Sequence, residues 1–447
     1  MYTDYVLLDQ YFGKAGIPVS YFPLVGYKLT VNSGSFALTG QTITLSAGRE
    51  LAADAGTFNL IGTAVTFRRT FILTADSGAF DLNGADVTLK SSRKLSLGSG
   101  TFGLTGTDAA LKAARKLIPD SGTYNLTGAD ITFKRTYVLA VDSGSFGLLG
   151  TNVAFKRTYI LIPESGAFNL TCSDVTFQHT YNLSAESGSF SLTGYDITFW
   201  RTYILTVESG SFSLTGYDIT FWRTYILTVE SGSFSLTGYD ITFDRTYPLI
   251  AESGSFILTG TPVTFRRTYI LSVDSGSFTL TGENVSLAKG YELLAGTGNF
   301  TLIGTDVTFE ITRKIILNSG IYNLTGTDTT LTAQFHYTLS LEAGTYSLTG
   351  TNAGLTSART MACNAGSYTL TGTNADLYRA LVMACNAGSY ALTGSDVAFN
   401  ANYIFALGMG SYVLVGTNAG LFILSPTPAC RTYAIPFENR TLEAKCH

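Results

Sequence analysis

Charge is scarce in this chain: 13% of its 447 residues are charged, against about a quarter in ordinary globular domains. The formal net charge is only −4, so there is no electrostatic case for nucleic acid or an anionic membrane as partner. Five cysteines (Cys172, Cys363, Cys385, Cys430 and Cys446) are too few and too irregular for a disulfide framework. They fit synthesis and folding in a reducing cytoplasm. Three histidines (His179, His336 and His447) leave little material for general acid–base work or a metal site. There is no Walker loop, dinucleotide fingerprint or nucleophile elbow. The chain is therefore not expected to be an enzyme or to carry a cofactor or metal. No run of 18 apolar residues occurs, so no membrane-spanning helix is expected. The opening Met1-Tyr2-Thr3-Asp4-Tyr5 lacks a basic region followed by an apolar one, so no secretory signal is expected. A role outside the cell would then require lysis or a route this segment does not encode.

What is present is one phrase, Gly-x-[Phe/Tyr]-x-Leu-x-Gly, in eighteen copies. Its first glycine recurs every 22 residues from Gly34 to Gly320. A two-residue insertion moves the next copy to Gly344, and the period resumes at Gly366, Gly388 and Gly410. A fixed period of this size marks a stacked array, in which each unit buries its apolar face against its neighbours. The 45% hydrophobic content, rich in aromatic residues and threonine, is β-forming and not that of a disordered chain.

The repeat at 209–230 reads as three short strands. Phe212 and Leu214 alternate with serine and threonine, Ile219 and Phe221 with Asp218 and Thr220, and Leu227 and Val229 with Ile226 and Thr228. Period-2 alternation over such runs is the strand signal. The chain is thus predicted to be an all-β solenoid (β-helix) of about eighteen rungs, each of 22 residues and three strands. Stacking at about 4.8 Å per rung would make it a rod on the order of 85 Å long. Expected inward positions are Phe190, Leu192, Phe212, Leu214, Ile219, Phe221, Leu227, Phe234 and Leu236. Corners are expected at Ser209-Gly210, at Gly216, where positive φ is cheap only for glycine, and at Arg223-Thr224. The aspartates and asparagines two residues after the second glycine, such as Asp196 and Asn352, are read as turn caps.

Three segments follow: an N-terminal cap or attachment segment at 1–26, the solenoid at 27–421, and a C-terminal cap or docking segment at 422–447. Leu7, Leu8, Tyr11 and Phe12 are expected to cover the first rung. Pro426, Pro428 and Pro436 break the last segment.

Several columns face outward. An acidic column precedes the Ser-Gly corner (Asp142, Glu164, Glu186, Glu208, Glu230, Glu252, Asp274). A basic column marks the third corner (Arg135, Arg157, Arg201, Arg223, Arg245, Arg267). Both read as solvated corners, or as opposite edges able to pair between rods. The third strand carries an outward apolar stripe of Val138, Ile160, Ile204, Ile226 and Ile270, with Trp200 and Trp222 beside it. Toward both ends the same column turns polar, at Glu50, Lys94, Lys116, Glu292 and Lys314. Contiguous exposed apolar surface usually marks an interface, so this stripe is the candidate for self-association. Cys363 and Cys385, 22 residues apart, are expected to stack as small buried fillers.

The phrases Ser-Phe-Ser-Leu-Thr-Gly, Gly-Thr-Asn-Ala-Gly-Leu and Ile-Pro-Phe-Glu-Asn-Arg-Thr-Leu (435–442) resemble repetitive proteins encoded in tailed-phage and prophage genomes. The likeness covers residues 27–442. It implies a virion appendage or fibre that partners with itself and, through its ends, with other virion proteins. A second resemblance is to curli-type functional amyloid, although that family's regular glutamine and asparagine ladder positions are missing. It implies a cell-made extracellular filament or adhesin. Residues 187–208 and 209–230 are identical, and such copying suits a shaft that tolerates changes of length.

Overall fold

A computed structural model describes residues 28–45, 48–68, 70–90, 92–333, 338–407, 411–423 and 442–444. The chain divides into two compact units, Met1–Arg223 and Thr224–His447. The fold is an all-β, parallel solenoid of about 15 turns with a spacing of about 22 residues. The eighteen phrases of the sequence include turns interrupted by residues outside the described set.

In the first unit a representative turn has three sides: Ser189–Thr193, Asp196–Phe199 and Thr202–Val207. Each pairs in parallel with the matching side of the turn before, as Phe168↔Phe190, Val175↔Ile197 and Leu183↔Leu205. In the second unit Phe234, Phe256 and Phe278 follow one another in the same way. The register keeps identical side chains stacked because the repeat length equals one turn. A slip of one residue would turn every inward side chain outward.

All nine expected core positions are buried to 1% exposure or less. The rings stack nearly face to face: Phe177 and Phe199 lie 4.6 Å apart with planes 1° from parallel, and Phe243 and Phe265 lie 4.5 Å apart. Each buried phenylalanine or leucine contributes about 1.5–3 kcal/mol of transfer free energy.

The corners depart from expectation in two ways. Among the described glycines only Gly34 has positive φ, at 93°. Gly210 and Gly216 do not, so conformational freedom is not why glycine stands there. The reason is stacking: a Cβ on Gly210 would strike the carbonyl oxygen of Gly188, and one on Gly216 would sit 3.0 Å from that of Gly194. The Gly188 carbonyl accepts the Ser211 N–H at 3.0 Å, so it is fixed in place.

The second departure is at the third corner. Thr136, Thr158, Thr180 and Thr202 in the first unit, and Thr224 and Thr246 in the second, are wholly buried. Each begins the third side rather than forming the corner. Its N–H bonds to the carbonyl of the basic column one turn on, as from Thr180 to Arg201 at 2.9 Å. The arginine forms the corner and the threonine is a seventh inward residue beside the six apolar ones.

The N-terminal segment, with Leu7, Leu8, Tyr11 and Phe12, lies outside the described residues, as do Pro426, Pro428 and Pro436. Of the C-terminal segment, Leu442–Ala444 pairs antiparallel with Ser411–Ile423, with Tyr412 opposite Ala444. That pairing covers the edge of this strand at Tyr412–Leu414, where it would otherwise be open to another chain.

Candidate assembly surface

In its last four turns the third side of the first unit is built from Thr136–Val141, Thr158–Pro163, Thr180–Ala185 and Thr202–Val207. Threonine, leucine and the last residue of each strand point inward and are buried. That leaves the second, third and fifth positions outward, although Ala140 and Ser184 at the fifth are small enough to be covered by their neighbours. The second position is an unbroken tyrosine ladder: Tyr137, Tyr159, Tyr181 and Tyr203, with centroids 4.8–4.9 Å apart. The third is Val138, Ile160, Asn182 and Ile204 in register.

The residues proposed from sequence for self-association fall on this side or beside it. Val138 and Ile160 are half-buried. Trp200 is 49% exposed, Ile204 38% and Trp222 40%, and in the second unit Ile226 is 39% and Ile270 38% exposed. Trp200 and Trp222 stack at 5.2 Å. Exposed isoleucine and tryptophan in register are unusual, because no core gains from them. Sequence reading missed the tyrosine ladder. Its signal was the tyrosine that follows each corner Arg-Thr pair, and two successive outward residues do not fit a strict period of two.

Charge frames this face. Lys134, Arg135, Lys156, Arg157 and Arg201 are exposed where the third side begins, with His179 in the arginine column. Burial and the charges of Arg201 and Arg157 push the His179 pKa below its usual 6.5. Where the side ends stand Asp142, Glu164, Glu186 and Glu208. Burial, Glu208 and Glu164 hold the Glu186 carboxyl above its usual range, and burial and Asp120 do the same for Asp142. In the second unit Asp244 lies 3.9 Å from Arg245 and 4.0 Å from Arg266.

The serine before each first glycine ties turns together at the acidic corner. Its hydroxyl donates to the carbonyl 23 residues earlier, as Ser165 to Asp142 at 2.6 Å and Ser187 to Glu164 at 2.7 Å. In the aspartate and asparagine column, asparagine amides bond along the stack instead of capping turns. Asn152 donates to Asp130 at 2.7 Å, and Asn374 to Asn352 at 2.7 Å.

The other surface features offer less chemistry. A shallow groove of about 670 Å³ follows the second corner of the first unit past Gly84, Ala85, Gly106, Thr107, Gly128 and Ala129. It exists because these turns carry small residues where later ones carry Tyr195 and Tyr217. None of its walls titrates. Cys172 is buried, and burial with Asp174 nearby pushes its thiol pKa up to about 12, which leaves it unreactive. Cys363 is buried and donates to the Gly366 carbonyl at 2.8 Å; it pairs in register with Cys385. Among the described residues no group of three or more His, Cys, Asp or Glu side chains is placed to hold a metal ion. Among them, too, no helix is long and apolar enough to cross a membrane.

Comparisons with family models, with curated proteins and with solved structures give no match to this chain.

Proposed function

We propose that the chain is a structural subunit of a fibre or filament, most simply an appendage of a phage particle, in which the solenoid is a rigid spacer and an assembly surface. One observation carries this reading: isoleucine and tyrosine on the third side and tryptophan beside it stand outward in register, exposed or half-exposed, while the inward columns are already filled by buried apolar side chains. A repeated apolar face without converging reactive groups suits contact rather than chemistry. Such a subunit is made in the cytoplasm and acts in the virion or outside the cell. Its partners are copies of itself and, through the terminal segments, other virion proteins.

A second reading is a cell-made extracellular filament or adhesin. The in-register parallel stacking of identical rings favours it, since an uncovered end turn is a template for the next chain. Negative-stain microscopy of the purified protein separates the two. Discrete rods on the order of 85 Å long, single or bundled, support the appendage. Filaments of unlimited length support the second reading. Particles without elongation would sink both.

A further inference from the structure

The strands of the third side run the same way, so in the turns from Thr136 to Val207 the basic residues Arg135, Arg157 and Arg201 gather on one edge and the acidic residues Asp142, Glu164, Glu186 and Glu208 on the other. In an antiparallel sheet the charges would alternate along each edge; the parallel stack segregates them. From Arg201 to Glu208 the strand spans roughly 20 Å at about 3.3 Å per residue. That exceeds the screening length of about 8 Å at physiological salt, so the two edges of one copy do little to neutralise each other. Within each column like charges repel: after burial, Asp120 raises the Asp142 carboxyl, Glu208 and Glu164 raise that of Glu186, and Arg201 and Arg157 lower the His179 imidazole. Between the edges lies the apolar and tyrosine strip.

Two ways exist to lay a second copy on this face. A half-turn about the strand direction opposes basic to basic and acidic to acidic. A half-turn about the solenoid axis keeps the stacks parallel and opposes basic to acidic, while Ile160 and Ile204 near mid-strand approach their counterparts and the tyrosine ladder lies against the fifth strand positions of the other copy, Ile162 and Thr206 among them. Resting on the reading of a self-assembling subunit, we infer that two copies join third side to third side with solenoid axes parallel, each basic edge against the other copy's acidic edge. A turn presents roughly 4.8 by 20 Å of face, so the four turns from Thr136 to Val207 offer on the order of 400 Å² per partner, the size of a weak, concentration-dependent contact.

The test uses the full chain and sedimentation equilibrium, with circular dichroism to show that each variant keeps its β signal. One variant reverses the basic edge (Arg157→Glu with Arg201→Glu), a second reverses the acidic edge (Glu164→Arg with Glu186→Arg), and a third carries all four changes. Each single-edge variant should associate at least roughly tenfold more weakly than the parent. An equimolar mixture of the two, and the four-fold variant alone, should regain parental affinity, because each restores opposite charges across a parallel pair. If the parent associates but the four-fold variant stays as weak as the single-edge ones, the parallel pairing is wrong and the structural role stands. If the parent remains monomeric at every concentration, the self-assembling reading fails with it.

Discussion

Thr180 pairs in ladder register with Thr158; both are wholly buried, and neither hydroxyl has a hydrogen-bond partner in the protein. The same holds for Thr136, Thr202, Thr224 and Thr246. A buried hydroxyl without a partner costs about 1–3 kcal/mol. Valine has the same shape without the hydroxyl, so Thr180→Val should stabilise the fold by about 1 kcal/mol. Thr180→Ser, which keeps the hydroxyl and loses the methyl, should destabilise it by a similar amount. Thermal unfolding followed by circular dichroism reads both. A loss on Thr180→Val would mean that these hydroxyls are satisfied in solution.

The glycine columns make a graded prediction. A Cβ on Gly144 would overlap the Gly122 carbonyl oxygen, which also accepts the Ser145 N–H at 3.0 Å and so cannot retreat. On Gly216 the Cβ would sit 3.0 Å from the Gly194 carbonyl and 3.0 Å from Ile197 Cδ1, a contact that small shifts can relieve. Gly144→Ala should therefore cost about 3 kcal/mol or more and Gly216→Ala about 1 kcal/mol. Denaturant midpoints of the two variants check the order; equal losses would contradict the stacking explanation.

Most of the fold was legible because the signal is redundant. An aromatic residue at the Phe190 position and leucine at the Leu192 position recur in every repeat, and alternation assigns them to the inside without further help. The columns misread were those where alternation breaks. Thr202 follows an arginine and precedes an outward, half-buried tyrosine, so local pattern marks it as a corner; only the three-sided closure shows that the chain has already turned. Gly216 was identified as a bend, but its cause lies in the turn before it, and no single repeat contains that neighbour. The assembly face was legible in part: Ile204 and Trp200 were seen as outward, whereas the Tyr181–Tyr203 ladder was not.

The charged columns give opposite responses to pH. The folded pKa of His179 lies below its ordinary value of 6.5 because of burial, Arg201 and Arg157. The folded state therefore binds that proton less readily than the unfolded chain, and stability is lost as pH falls below about 6.5 toward the folded value. Glu186 is raised above its ordinary 4.5 by burial, Glu208 and Glu164. Its protonation is favoured in the fold, so stability is gained as pH falls through the folded value toward 4.5. Both groups are largely solvated, so both effects are small. Titration by NMR should place His179 below 6.5 and Glu186 above 4.5, and His179→Gln should remove the loss near pH 6 while leaving the gain at lower pH.

Length should be adjustable in whole turns and in nothing else. Residues 187–208 and 209–230 are identical, and Ser187 and Ser209 each bond to the turn before through the same hydroxyl-to-carbonyl contact, at 2.7 and 3.0 Å. A further copy inserted after Glu208 meets on both sides the surfaces it would itself provide. Four inserted copies should keep the β signal and a cooperative melt and should lengthen the particle by about 19 Å in electron micrographs. An insertion of half a repeat delivers the first side of one turn onto the third corner and the start of the third side of its neighbour. That sets Phe212 beside Arg201 and Leu214 beside Tyr203 and leaves no inward register that satisfies the turns on both sides. Such a variant should lose its cooperative transition. If it melts like the parent, the 22-residue turn is not the unit of this fold.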